Sequence, residues 1–216
     1  MSIDINGFLV KLLVSLPAIM IGFTFHEFAH AIVADKLGDK TPRFQGRLTL
    51  NPIAHIDPLG LIAIIIVGLG WAKPVETNPK AYKNFYRDDL KVSLAGPVAN
   101  LMIVIIFSVI RQILYINGFE SRAMVNPTMF VILEIIIQII SINSLLFFFN
   151  LMPLPGLDGF HILRDFFPKA VYKISGNIYR YQFFILAVFI IFLAPYLVVI
   201  PSEALVNSLF KILNIF

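Results

Sequence analysis

Phe8-Leu-Val-Lys-Leu-Leu-Val-Ser-Leu-Pro17-Ala-Ile-Met-Ile-Gly22-Phe-Thr-Phe-His26-Glu27-Phe-Ala-His30-Ala-Ile-Val33 is apolar enough to cross a bilayer, yet it carries two imidazoles and a carboxylate. Ionisable groups inside a spanning helix are expensive and mark functional sites. A helix brings residues four apart onto one face, about 6 Å from each other, so His26 and His30 can reach one metal ion. Glu27, beside His26, is placed to act on water at that ion. One hypothesis, a metal site inside a membrane helix, accounts for all three residues.

Composition agrees with a membrane setting. The chain has 216 residues, of which 58% are hydrophobic and 14% charged, and its mean hydropathy is +0.85. A soluble domain is closer to half apolar and about one-quarter charged. With no cysteine, disulfides and thiolate metal sites are excluded. No Lys/Arg-rich run points to nucleic acid. The N-terminus lacks the positive leader of a secretory signal peptide. Length favours one compact helical domain over 1–216, with a core at 8–165 and an extra C-terminal span and interfacial helix at 181–216.

Hydropathy divides the chain into five apolar segments. The first runs from Phe8 to Asp35, with Pro17 expected to loosen it before the histidines. Leu59–Leu69 is too short to cross: as a helix it covers about 17 Å against a hydrocarbon core of about 30 Å. It is expected to be re-entrant or buried. Leu90–Ile116, Pro127–Met152 and Tyr181–Ile200 are each long enough to span. Between the first two segments, alternating residues in Thr41–Leu50 predict a small β-hairpin. Polar residues at helical spacing in Ser202–Phe216 predict an amphipathic helix at the interface; a segment packed on the bundle fits the same spacing. The expected fold is all-α and polytopic, with four full transmembrane helices.

Basic residues set the orientation. Lys36, Lys40, Arg43 and Arg47 precede the short segment, and Lys73, Lys80, Lys83, Arg87 and Lys91 follow it. Arg164, Lys169, Lys173 and Arg180 lie in 153–180, whereas 117–126 holds only Arg122. Positive loops stay cytoplasmic. The three basic loops share one side only if Leu59–Leu69 does not cross. The expected topology has the N-terminus outside and the His-Glu motif toward the cytoplasm of a cell-membrane protein.

A metal site needs a third ligand. Glu76, in a Lys/Pro loop, is a poor candidate. Asn150-Leu-Met-Pro-Leu-Pro-Gly-Leu-Asp158-Gly159 closes the fourth apolar segment. Its prolines and glycines break the helix and open backbone groups to water. Asp158 sits at that break, on the face where the first segment ends. It can complete a His-His-Asp site, or it can cap a helix.

Here the chain resembles the site-2 proteases, intramembrane zinc metalloproteases. The resemblance rests on His26-Glu-Phe-Ala-His30, Ser93-Leu-Ala-Gly-Pro-Val-Ala-Asn100 and Asn150–Gly159, in that order and in apolar segments. Asn51-Pro-Ile-Ala-His-Ile-Asp-Pro58 and Gly70-Trp-Ala-Lys-Pro-Val75 resemble a short bacterial and archaeal subgroup without PDZ or CBS domains. The resemblance implies one Zn2+ per chain, held by His26, His30 and Asp158. It implies Glu27 as general base and Asn150 as stabiliser of the oxyanion. The substrates it implies are single-pass transmembrane proteins, or the remnants of earlier cleavage, in the lipid bilayer. Two other classes fit parts of the pattern: a metal transporter, and a non-catalytic zinc-binding membrane protein.

Other polar residues have competing roles. His55 is a candidate accessory ligand, plug or oxyanion donor, or a histidine that fixes its turn. Ser93–Asn100 is an active-site wall or a close-packing surface. Arg111 and Glu134 lie at similar depth and are expected to pair. The Arg47–Leu50 edge of the hairpin either receives substrate by strand addition or covers the catalytic cavity. Oligomeric state has no sequence signal.

Overall fold

A computed structural model describes residues 5–67 and 70–213. Three long helices form the core: α1 (Ile5–Leu37), α4 (Phe85–Ile116) and α6 (Pro127–Asn150). At 1.5 Å per residue, each exceeds the roughly 30 Å of a hydrocarbon core. They meet through Ala18, Ile103 and Ile139, one buried residue from each. Prolines do not break them: α1 continues through Pro17 and α4 through Pro97. Spanning helices tolerate proline where neighbouring helices, side chains, water or local adjustment re-satisfy the freed backbone groups.

The first helix stops where Gly38 adopts φ +113°. There Asp39 N–H bonds Ala34 O at 3.0 Å, the closure expected of a glycine-ended helix. The chain then makes a single helical turn, α2 (Thr41–Phe44), rather than a hairpin. Pro42 sits in its first turn, where a missing N–H costs nothing. The alternation misled because it does not match burial: Phe44 is 85% exposed while Arg47 is 4% exposed. Among the described residues there is no sheet, only an isolated bridge between Ile56 and Ala72. No strand edge therefore exists at Arg47–Leu50.

That bridge closes the excursion of the short segment. The chain enters α3 (Pro58–Val67) after Ile56 and is back beside Ile56 at Ala72. Lys73 N–H bonds His55 O at 2.9 Å, extending the closure. The excursion leaves and returns at one place, as a re-entrant element does; 68–69 lie outside the described residues.

At the far end of α4, a short helix α5 (Phe119–Ala123) folds back over the bundle. Arg111 pairs with its Glu120 at 3.1 Å and lies over the Phe210 ring. Glu134 is therefore not the partner; Glu120 comes from a local fold-back that an argument from depth alone does not include. Beyond the break after α6 come α7 (Asp158–Phe166) and the amphipathic α8 (Pro168–Arg180), neither expected from the sequence.

The last apolar segment and the tail form one bent unit. Helix α9 (Gln182–Val188) passes into π-helical turns at Phe189–Leu193 and Pro195–Val199, then into α10 (Ile200–Ile212). The two arms meet at 66°. Proline and π-helical turns are the usual causes of such a bend. Val206, Leu209 and Phe210 pack against Val104, Ile136 and Ile140. The tail thus rests on the bundle, as the packed-segment alternative expects; 214–216 lie outside the described residues.

Candidate metal centre

Three elements bring the candidate ligands together. His26 and His30 project from one face of α1, and Asp158 opens α7. His30 Nε2 lies 3.1 Å from His26 Nε2. Asp158 Oδ2 is 3.2 Å from His26 Nε2, and Oδ1 is 3.3 Å from His30 Nε2. All three residues are the candidate metal-holding group among the described residues. The N-cap of α7 is Leu157, and both Asp158 oxygens face the histidines instead.

The spacing fits a small tetrahedral ion. Donors held about 2.0–2.1 Å from such an ion stand about 3.3 Å apart. The hydrogen bonds behind the rings point the same way. His30 Nδ1 faces Val92 O at 2.7 Å and His26 Nδ1 faces Asn100 Oδ1 at 2.7 Å. A carbonyl only accepts, so each Nδ1 carries its proton and each Nε2 presents a lone pair. Two lone pairs and a carboxylate facing one another call for a cation.

Space for the ion comes from α4. A Cβ on Gly96 would fall 2.3 Å from His30 Nε2 and 2.6 Å from His26 Nε2. Only a residue without a side chain leaves this position clear, and Ser93–Asn100 thus flanks the candidate centre as well as packing against α1.

A cavity of about 190 Å³ opens onto these atoms. Glu27 and Asn150 line it, as do Ser93 and Asp89. Glu27 Oε2 accepts a bond from Val75 N–H at 2.7 Å, leaving Oε1 to the cavity. Asn150 Nδ2 donates to Leu146 O at 3.0 Å, with its second proton free of that bond. The loop over Glu27 is itself clamped. Arg47 reaches into it and donates to Ala54 O, Lys73 O and Pro74 O.

His55 is not brought to the cavity. It is fully buried, and its Nε2 bonds Thr49 O at 2.8 Å. It fixes the turn that ends in the Ile56–Ala72 bridge. Glu76 is likewise elsewhere, bonded to Gln45. The residue missed is His161, which lines the cavity one turn beyond Asp158. Burial holds its imidazole below the ordinary range. The signal was a His three residues after Asp158, visible only if a helix begins there.

With this geometry, the comparisons carry weight. The family model described as Peptidase family M50 matches residues 14–194. The chain belongs to peptidase family M50, the site-2 proteases. It is 40% identical over 177 residues to "Putative zinc metalloprotease YwhC" of Bacillus subtilis, covering 82% of this chain and 78% of that one. "Putative zinc metalloprotease Rip2" of Mycolicibacterium smegmatis is 28% identical, over 80% of this chain and 64% of its own. "Putative zinc metalloprotease MJ0611" of Methanocaldococcus jannaschii is 26% identical, over 74% and 73% respectively. The chain thus spans slightly less than two-thirds of Rip2. No solved structure matches. Membership makes this M50 chain a multi-pass membrane metalloprotease whose ion is zinc.

Proposed function

We propose that this M50 chain, as a single domain, is an intramembrane endopeptidase that hydrolyses bonds of transmembrane protein substrates near the cytoplasmic side. The observation that carries the reading is the convergence of both histidine Nε2 atoms with Asp158 in a water-accessible cavity that Glu27 also lines. His26, His30 and Asp158 would hold zinc, which supplies Lewis acidity for the scissile carbonyl and for water.

The chain's own groups do the rest. Val75 N–H holds one Glu27 oxygen, so the other takes the proton of the attacking water. The same carboxyl then returns that proton to the leaving amine. No covalent enzyme intermediate forms. The spare amide proton of Asn150 meets the oxyanion; such a donor contributes about 10²–10³ in rate. His30 lies seven residues from the basic end of α1, roughly 10 Å along the axis, which supports a site on the cytoplasmic side. A transmembrane substrate has its carbonyls in intrahelical bonds and unwinds before attack, so single-pass proteins and cleavage remnants suit this cavity.

The test is cleavage of a model transmembrane substrate by the detergent-purified protein and by Glu27→Gln. Wild type is expected to cleave. The variant should retain zinc and lose activity by at least about 10²-fold, the lower end of general acid–base effects. Equal cleavage by both would end the protease reading. Metal transport without cleavage would favour a transporter, and stable zinc without cleavage a binding protein.

A further inference from the structure

Asn143 lies within α6, does not line the cavity and is fully buried. A buried amide among apolar helices is costly unless its polar atoms are bonded. Its Nδ2 donates to Ile139 O at 2.8 Å. Its Oδ1 accepts from Asn100 Nδ2 at 2.9 Å. Asn100, also fully buried, donates through the same nitrogen to Gly22 O at 3.2 Å. Backbone carbonyls accept and never donate. Each amide therefore has one orientation, with its nitrogen toward the carbonyl. Asn100 Oδ1 is left facing His26 Nδ1, where it can only accept.

We infer that Asn143 is a positioning residue for the metal centre: acting through Asn100, it holds His26 in the tautomer and orientation that offer Nε2 to zinc. The chain of bonds crosses three helices, from α6 through α4 to α1. His30 is oriented by a shorter route, the backbone carbonyl of Val92. The two ligands thus differ. Side-chain substitution cannot remove the acceptor behind His30, but it can remove the support behind His26. An aspartate at position 100 would still accept from His26, yet it could not donate to Gly22 O or to Asn143.

The inference rests on the proposed zinc centre, so zinc affinity is the readout. It is measured on the full chain in detergent, by competition with a chromophoric chelator, beside thermal unfolding of the zinc-free protein. Asn143→Leu should weaken zinc binding about 10–100-fold, the range for partners behind a metal ligand. Asn100→Ala should weaken it at least as much, and the double variant no further, because both lie on one path. Ser144→Ala is the control: it is fully buried on the same helix and bonds Ser202 O at 3.2 Å. It should lower stability and leave zinc affinity unchanged. Wild-type affinity in Asn143→Leu, or effects that add in the double variant, would overturn the inference and leave the zinc centre standing. If Asn143→Leu does not fold, Asn143→Ser shortens the side chain while keeping a polar atom, and the same outcomes apply. A wild type that binds no zinc overturns the inference and the zinc reading together.

Discussion

His26 and His30 are chemically alike and one turn apart, and the atom behind each ring sets which nitrogen it offers to a metal. Val92 O and Asn100 Oδ1 hold the Nδ1 protons, so both Nε2 atoms point at Asp158. Gly96 then keeps the space between them clear. Gly96→Ala should abolish zinc binding, because the new methyl would fall 2.3 Å from His30 Nε2. Alanine is better than glycine within a helix by about 0.5–1 kcal/mol, so α4 itself should not weaken. Zinc per chain by elemental analysis, with helix content by circular dichroism, checks this; one zinc per folded chain would refute it. At this scale much was legible. The histidine spacing, Glu27, and a carboxylate at a proline-broken helix end all follow from local rules. His55 was not legible: whether a histidine in a turn meets a metal or a carbonyl depends on which carbonyl is nearest, and here Thr49 O takes it.

Elements were legible in proportion to their length. The long helices α1, α4 and α6 announce themselves because backbone bonds must be satisfied within each segment in lipid. The stretch Thr41–Leu50 did not, because short segments take their shape from what they pack against. Arg47 decides this one by binding carbonyls on both sides of the re-entrant excursion, including Pro74 O at 2.6 Å. Removing it should release the loop that holds Glu27. In Arg47→Met these part-buried bonds are lost, at about 0.5–1.5 kcal/mol each. Hydrogen exchange at residues 72–77 should quicken while zinc stays bound. Unchanged exchange there would show that the clamp does not hold the loop. The bend between α9 and α10 was also hidden, since the sequence reading divided at Ile200 what the structure joins through π-helical turns.

The whole molecule gathers its basic loops at one end. Asp39 accepts from Asn78 N–H, Arg47 holds Lys73 O, and Arg164 pairs with Asp89. The three basic loops thus meet at one end, and the Arg111–Glu120 pair marks the other. If the basic end is cytoplasmic, a cysteine at Lys83 should be labelled only from inside, and one at Val125 only from outside. Both positions are exposed. Labelling of Lys83→Cys from outside intact cells would reverse the proposed topology. The sequence by itself determined the membrane class, the long apolar helices and the histidine spacing, because hydropathy and helical spacing are local properties. Only the tertiary structure decided which groups stand behind the ligands, where the short segment returns and what covers Glu27. These depend on contacts between residues as far apart as His26 and Asp158, and such contacts exist only once the helices have packed.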